Sequence, residues 1–257
     1  MSSLPGLEAS SAPRIAAAAA PPAQVRAMSY NIRGQAALYG GAHLERIAKV
    51  IAAVAPDVVA LQEVHRETWR SRFRDQLAEL SERTGMRAAF GSSLDLGRGQ
   101  YGNAILTRGE ILHSVVHPLP GGGEARTVLE TLVQIRGGAM TVYATHLAAW
   151  GRWGRRTRLR QAARAARLVR RSRLPFVLAG DFNSEPSSRE LAWFAKDTRL
   201  ISCFAAASAT HRVTRQCLDY IFVDRRWQID DARVIAEGPS DHWPIVAELR
   251  WQDEGEG

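Results

Sequence analysis

Residues Val177 to Pro186, reading Val-Leu-Ala-Gly-Asp-Phe-Asn-Ser-Glu-Pro, constrain the fold more than any other stretch. An apolar run ends in glycine, an acid and an amide follow two apart, and a proline closes the segment. The run reads as the end of a buried strand, and Gly180 and Pro186 bracket the turn after it. Residues two apart on extended chain project to the same side. Asp181 and Asn183 are therefore expected to present a carboxylate and an amide to one spot at a sheet edge. The carboxylate can take a proton from water, and the amide can hold that water or a substrate oxygen. The plain alternative is an Asx turn closing a strand.

The same design recurs along the chain. Val25 to Asn31 alternates like a short strand and ends in an amide. A helix over about 41–55 carries Leu44, Ile47, Ile51 and Val54 on one stripe, and Pro56-Asp57 stops it. Val58 to Leu61 is β-branched and runs into Gln62-Glu63. A carboxylate at the end of a buried strand needs a partner or solvent. A second helix is predicted over roughly 68–84, with Phe73, Leu77 and Leu80 inward. Strands follow at Tyr101–Leu106, with Asn103 at its mouth, and at Leu112–Val116, Thr127–Ile135 and Ala139–Thr145, the last ending in His146. Gly121-Gly122-Gly123 is a flexible connection without the Gly-Lys-Ser/Thr of a phosphate loop. A helix near 187–196, capped by Ser187 or Ser188, precedes a strand at Cys217–Val223 that carries Asp219. Asp241-His242 stands at the mouth of a final strand. A rigid sheet holds such strand-end groups in place, which is what a ligand site needs.

Composition sets the outer bounds. With 257 residues, 46% of them hydrophobic, the chain can bury one large core or two small ones. A formal net charge of +8 favours an anionic partner. Cys203 and Cys217 allow one disulfide but no disulfide framework and no zinc cluster. No run of about 18 apolar residues occurs, so no membrane span is expected. Residues 1–23 read as an unstructured tail lacking the basic start and sustained apolar stretch of a secretory signal. Residues 24–251 read as one domain and 252–257 as a frayed end. The expected protein is a cytoplasmic monomer. Residues 150–173 are strongly basic. Their arginines from Arg164 onward read as a solvated helix face. Trp150 and Trp153, interleaved with Arg152, Arg155 and Arg156, suit base stacking with phosphate pairing, or a lipid headgroup surface.

Seven short pieces, in order, resemble the endonuclease/exonuclease/phosphatase superfamily of metal-dependent phosphoesterases. They are Ser29-Tyr30-Asn31-Ile32-Arg33, Leu61-Gln62-Glu63-Val64, Tyr101-Gly102-Asn103-Ala104-Ile105-Leu106, Thr145-His146-Leu147, Gly180-Asp181-Phe182-Asn183, Leu218-Asp219-Tyr220-Ile221 and Ser240-Asp241-His242-Trp243-Pro244. The resemblance implies an α/β, four-layer sandwich: two packed mixed sheets flanked by helices, with the site between the sheet edges. It implies that Glu63 is the main metal carboxylate, with Asn31 beside it and Asp241 assisting, and the oxygen ligands suit Mg²⁺ or Mn²⁺. Asp181 would orient or deprotonate the attacking water and Asn183 would position it. His242, held by Asp219, and His146 would contact the phosphate, and Tyr101 and Asn103 would face the substrate. The sequence departs from the pancreatic-type deoxyribonucleases, which carry a glutamate where Asn103 stands. It also departs from the inositol polyphosphate phosphatases, whose Cys-Asp-Arg run is absent near Asp219. The implied activity is hydrolysis of a phosphodiester, with nucleic acid the favoured substrate. A phospholipid, a small phosphate ester, or a catalytically silent basic binding protein are the alternatives.

Overall fold

The structure, a computed structural model, describes residues 20–38, 42–149, 154–197, 199–204 and 208–252. Twelve strands form two six-stranded sheets. The first contains β1 (Gln24–Asn31), β2 (Val58–Arg66), β3 (Arg87–Leu96), β4 (Gly99–Thr107), β11 (Trp227–Val234) and β12 (Ile245–Trp251), in the order β11-β12-β1-β2-β4-β3. The second contains β5 (Glu110–Pro118), β6 (Thr127–Ile135), β7 (Gly138–His146), β8 (Phe176–Asp181), β9 (Leu200–Ser202) and β10 (Asp219–Asp224), in the order β5-β6-β7-β8-β10-β9. Each sheet has one parallel pair at its centre, β1/β2 and β7/β8, with antiparallel partners on both sides. Each parallel pair is joined through a helix, as a parallel crossover requires: α1 (His43–Val54) in the first sheet and α3 (Gly154–Val169) in the second.

Three apolar clusters define the layers. The inner faces meet in a core that includes Val25, Ala27, Val58, Ile105, Leu129, Val142, Val177 and Ile221. The outer face of the first sheet packs on Leu44, Ile47 and Ile51 of α1 and on Leu77 and Leu80 of α2 (Gln76–Thr84). The outer face of the second packs on Ala162, Ala165, Ala166 and Val169 of α3 and on Phe194 of the one-turn α4 (Ala192–Ala195). The four-layer sandwich implied by the sequence is thus the observed architecture. No helix among the described residues is long and apolar enough to cross a membrane. Cys203 and Cys217 are buried and free, so the allowed disulfide is not formed.

The predicted helix over 68–84 is two elements. A single 3-10 turn, Trp69–Ser71, is followed by Arg72 and Phe73 at φ 54° and 59°, and α2 begins at Gln76. The Asp75 side chain accepts hydrogen bonds from the backbone N–H groups of Leu77 and Ala78, which starts a helix there. Phe73, expected inward, is 54% exposed. The helix near 187–196 shrinks to α4, with the Ser188 hydroxyl accepting from the Leu191 N–H. Three strands carried no sequence signal: β3, β9 and β11. All are sheet edges, and β3 and β11 are largely part-buried or exposed, so they lack apolar alternation. In α3 the apolar stripe is buried at Ala162, Ala163, Ala166 and Val169. Arg158 is buried too, its Nε 3.6 Å from a Glu190 carboxylate oxygen.

Candidate functional site

The parallel and antiparallel registers of the second sheet place three functional side chains in one row. His146, at the end of β7, lies opposite Asp181 of β8, and Asp181 lies opposite Asp219, the first residue of β10. The first sheet supplies Asn31 at the end of β1. It also supplies Glu63 from a bulge in β2, where the register slips between Leu61 and Val64. An extra residue in a strand re-aims its side chains. Glu63 takes φ 60° there, while Gln62 is fully buried and donates to Ala60 O. His242 comes from the segment before β12. That segment is tied down by the Ser240 hydroxyl, which donates to Asn31 O at 2.7 Å and accepts from the His242 N–H at 3.2 Å.

Asn31 joins the two sheets. Its Nδ2 donates to Glu63 Oε1 and to Asp181 Oδ2, each at 3.1 Å. The same Asp181 oxygen lies 3.4 Å from His146 Nε2 and 3.7 Å from His242 Nε2. His242 Nδ1 lies 2.8 Å from Asp219 Oδ2, and Thr210 fixes the start of β10 by accepting from the N–H groups of Leu218 and Asp219. These groups surround a cavity of about 320 Å³ whose lining includes Glu63, Tyr101, His146, Asp181, Asn183, Asp241 and His242.

Asp181 and Asn183 do not project side by side from extended chain, as the sequence suggested. The strand stops at Asp181, whose Oδ1 accepts from the Asn183 N–H at 2.8 Å. Asn183 sits at φ 48° and donates its Nδ2 to Leu147 O. The Asx turn and the site are therefore the same structure. Asn103 does not line the cavity. It is buried, and its amide donates to Thr127 O at 3.0 Å, pinning β4 to β6 across the two sheets. Arg155 and Arg156 are exposed on the first turn of α3 and do not line the cavity. Trp150, Arg152 and Trp153 lie outside the described residues.

Burial dominates the electrostatics. It pushes the Asp181 carboxyl up to about 7, helped by the Asp219 charge and opposed by His242, the Asn183 N–H and Asn31. Burial alone would lower His242, but the carboxylates of Asp219 and Asp181 outweigh it and raise the imidazole to about 10. His146 is held well below the usual histidine value by burial and by the charges of Arg126 and His242. Burial also raises Glu63.

Ligand atoms of Asp181, Asp219 and His242 lie within 4.8 Å of one another. In that cluster His242 Nδ1 is already engaged by Asp219 Oδ2 at 2.8 Å, so the imidazole and that carboxylate oxygen hold each other. Glu63 is a better cation site. Among the described residues its carboxylate meets no guanidinium or ammonium group, and its hydrogen bond comes from the Asn31 amide. A part-buried carboxylate beside a neutral amide fits a hard divalent cation. Asp241 lines the same cavity, 3.2 Å from Arg33.

Several lining residues carried no sequence signal. His211 packs edge-on against His242, 4.8 Å between ring centres. Its Nδ1 accepts from the Thr214 N–H, which leaves the Nε2 proton for the cavity. His65, packed against Tyr101 with 4.9 Å between ring centres, and Arg70, Glu124 and Arg126 also line the cavity. In so arginine-rich a chain, nothing local marked Arg126 out.

The Endonuclease/Exonuclease/phosphatase family model matches residues 28–242. No curated protein matches the sequence. Among solved structures, an endonuclease/exonuclease/phosphatase from Beutenbergia cavernae DSM 12333 is similar at 27% identity and TM-score 0.76, covering 89% of this chain and 72% of that one. The D. rerio TDP2 complexed with single strand DNA product is similar at 18% identity and TM-score 0.74, with 88% and 99% covered. The human Nocturnin catalytic domain with bound sulfate anion is similar at 22% identity and TM-score 0.72, with 91% and 96% covered. Family members are hydrolases of phosphoester bonds and generally use divalent metal ions. With the family's model spanning β1 to the histidine before β12, this chain belongs to the endonuclease/exonuclease/phosphatase family.

Proposed function

We propose that the protein is a metal-dependent phosphodiesterase acting on nucleic acid by direct attack of water. One observation carries the reading: Asp181 is buried 3.7 Å from the Asp219-held imidazole of His242 and is bridged by the Asn31 amide to Glu63 of the other sheet. Asp181 is the base. Its raised carboxyl is matched to taking a proton near neutral pH, and its Oδ2 is the oxygen on which Asn31, His146 and His242 converge. The Oδ1 of Asn183, whose Nδ2 is engaged by Leu147 O, accepts a hydrogen bond from the water and so holds it. His242 donates from Nε2 to a phosphate oxygen, where negative charge builds up. Asp219 fixes that tautomer and stabilises the imidazolium. His146, kept neutral by burial, contacts the phosphate from the β7 side. Glu63 would hold the cation, with Asn31 and Asp241 beside it. When bound, Mg²⁺ or Mn²⁺ polarises a phosphate oxygen and stabilises charge on the leaving oxygen.

Nucleic acid is favoured over other esters by the exposed rings and arginines near Arg70, the one member of that group that lines the cavity. Trp69 and Phe73 are 56% and 54% exposed. The guanidinium groups of Arg70 and Arg98 lie over their rings at 5.4 and 4.6 Å, and Arg70 also lines the cavity. Exposed rings among arginines suit a single strand, whose bases stack and whose phosphates pair. A DNA-bound relative of the same fold is consistent with this. The same rings would also suit a phospholipid surface, which makes lipid the second reading.

The test is a panel of single-stranded DNA, RNA, sphingomyelin, inositol phosphates and bis-p-nitrophenyl phosphate, with Mg²⁺, Mn²⁺ or EDTA. Cleavage of a nucleic acid with either metal, and its loss in EDTA, is expected. Glu63→Gln should need far more metal for half-maximal activity. Full activity of that variant at low metal would sink the Glu63 assignment, and cleavage of sphingomyelin alone would favour the lipid reading.

A further inference from the structure

Residues 131–180 contain 11 arginines and no acidic residue, while the rest of the chain holds 23 basic and 26 acidic residues. The net charge of +8 therefore comes from one segment, and a general richness in arginine does not explain it. α3 carries the centre of that segment on its outer side. At 3.6 residues per turn, Arg156, Arg160, Arg164 and Arg167 fall within about 80° of one another, opposite the buried Ala162, Ala165, Ala166 and Val169. Arg156, Arg160 and Arg167 are exposed and Arg164 is half-buried. Among the described residues, the carboxylates that meet arginines of 155–173 are Glu190, at Arg158, and Asp197, at Arg170. The four arginines of the row have no acidic partner among the described residues.

The row works against its own helix. Like charges one turn apart destabilise a helix, and positive charge in the first turn opposes the helix dipole. The first turn of α3 contains no acid. The other helices are built the opposite way: α1 has Glu45 in its first turn, paired with Lys49, and α2 has Glu79, paired with Arg83. A face left uncompensated on α3 alone fits a partner that supplies the negative charge. The helix also starts beside the cleft. Arg158 Nη1 donates to Ala148 O and Ala149 O, each at 3.3 Å, and Gln161 Oε1 accepts from the Ala148 N–H at 2.8 Å. Ala149 lines the cavity. From there α3 runs back along the sheet, because Phe176 of β8 must arrive opposite Thr141, near the start of β7. The row thus leads away from the cleft down the flank of the second sheet.

We propose that the outer face of α3 is a track for the phosphate backbone of nucleic acid, holding the part of a polynucleotide that extends beyond the cleft. Arginines four residues apart step about 6 Å along the axis, so the row is a straight line of like charges that suits a polymer of regularly spaced phosphates. Each guanidinium offers a fork that fits two phosphate oxygens. Contacts of this kind position a strand without reading its sequence. A membrane surface fits less well. A helix lying in a bilayer interface needs an apolar face to bury, and that of α3 is packed on the sheet. None of the exposed large apolar side chains among the described residues lies on α3. The inference rests on the nucleic-acid reading of the cleft and adds a contact outside it.

Two measurements on the full chain test this. The first is fluorescence anisotropy of a labelled DNA duplex of about 30 base pairs, roughly 100 Å long, across a salt series in EDTA, so that no turnover is needed. The triple variant Arg160→Gln, Arg164→Gln, Arg167→Gln should flatten the slope of log affinity against log salt by about three units, and Arg164→Gln alone by about one. Arg225→Gln removes an exposed arginine from the turn after β10 and should leave the slope unchanged. An unchanged slope in the triple variant, or an equal effect of Arg225→Gln, would overturn the track. Arg160→Glu gives Arg156 and Arg164 an acidic partner one turn away on either side. Its Tm should match or exceed that of wild type while its duplex affinity falls; a lower Tm with unchanged affinity would overturn the proposal. Phosphatidylcholine vesicles containing phosphatidylserine supply the same charge from a lipid. If the triple variant loses vesicle binding and keeps duplex binding, the proposal falls. The second measurement is cleavage with Mg²⁺ or Mn²⁺. The advantage in kcat/KM of a long strand over bis-p-nitrophenyl phosphate should shrink in the triple variant through KM, and an advantage that survives intact would overturn the track. If wild type cleaves no nucleic acid, the phosphodiesterase reading falls, and duplex binding alone decides the track.

Discussion

Three residues bordering the cleft, Arg33, Glu63 and Asn183, hold positive φ angles of 46°, 60° and 48°. A left-handed conformation costs a side-chain-bearing residue about 1–2 kcal/mol, and such strain persists where the surroundings over-determine it. At Glu63 the β2 bulge imposes it and the Asn31 amide holds the result. The Asp219–His242 pair is the other fixed point. Asp219→Asn removes the carboxylate that keeps His242 charged and oriented, and His242→Ala removes the donor. Each is expected to lower kcat by roughly 10²–10³, the usual cost of losing one oriented donor to developing charge. Turnover near wild type in folded protein would contradict the role given to the pair. The strand-end residues were legible because each interrupts an apolar run with a polar group whose burial needs a reason. Arg126 and His211 were not, because each reaches the cleft from a connecting segment, where a polar side chain is unremarkable.

At the scale of elements, the helices show what periodicity can and cannot tell. The stripe of Leu44, Ile47, Ile51 and Val54 located α1 because that face is buried on the sheet. The segment before α2 misled because apolar Phe73 falls near helical spacing while Asp75 begins a new helix behind it. Removing that cap with Asp75→Ala should cost about 1 kcal/mol in urea unfolding. The loss of its ion pair with Arg66, 2.8 Å away, should add little because that contact is part-exposed. The start of α1 carries a pH-sensitive group. His43 is buried, its Nε2 lies 2.8 Å from Ile32 O, and burial followed by the Arg46 charge lowers its pKa. The folded state thus binds the proton less readily than the unfolded chain. The stability it contributes is complete above the unfolded value near 6.5 and is lost as pH falls through the lower folded value. His43→Gln keeps a donor for Ile32 O and does not titrate. Unfolding followed from pH 7.5 to pH 5 should therefore show a shallower acid decline in the variant than in wild type.

At the scale of the whole molecule, both sheets repeat one pairing pattern, a central parallel pair with two antiparallel neighbours on either side, and the cleft opens where the two parallel pairs end. The sequence showed the inner strands of both sheets and the edge strand β5, whose apolar residues it could read, and missed the other edges β3, β9 and β11, since an edge strand needs hydrogen bonds but little apolar area. The excess of arginine belongs to this scale as well. If Arg70 and Arg98 bind a strand, affinity for single-stranded DNA in an Asp181→Asn background should fall steeply with salt, and each phosphate contact removed at Arg70 or Arg98 should flatten the slope by about one unit. An unchanged slope in both variants would detach these arginines from the substrate. One further consequence follows from the way the first sheet closes. Its last strand lies against its first, with Gln24 opposite Arg250 and the Trp251 N–H donating to Ala23 O, so the beginning and end of the described fold are neighbours. Strand order in space then need not depend on strand order in translation. A circular permutant that starts at Met86, ends at Gly85 and joins residue 252 to residue 20 through a short glycine-serine linker breaks the chain after exposed Gly85, where added atoms meet nothing within 4 Å. It should fold and cleave within a few-fold of the parent. A permutant that aggregates instead would show that β1 and β2 must pair before β12 arrives to close the sheet.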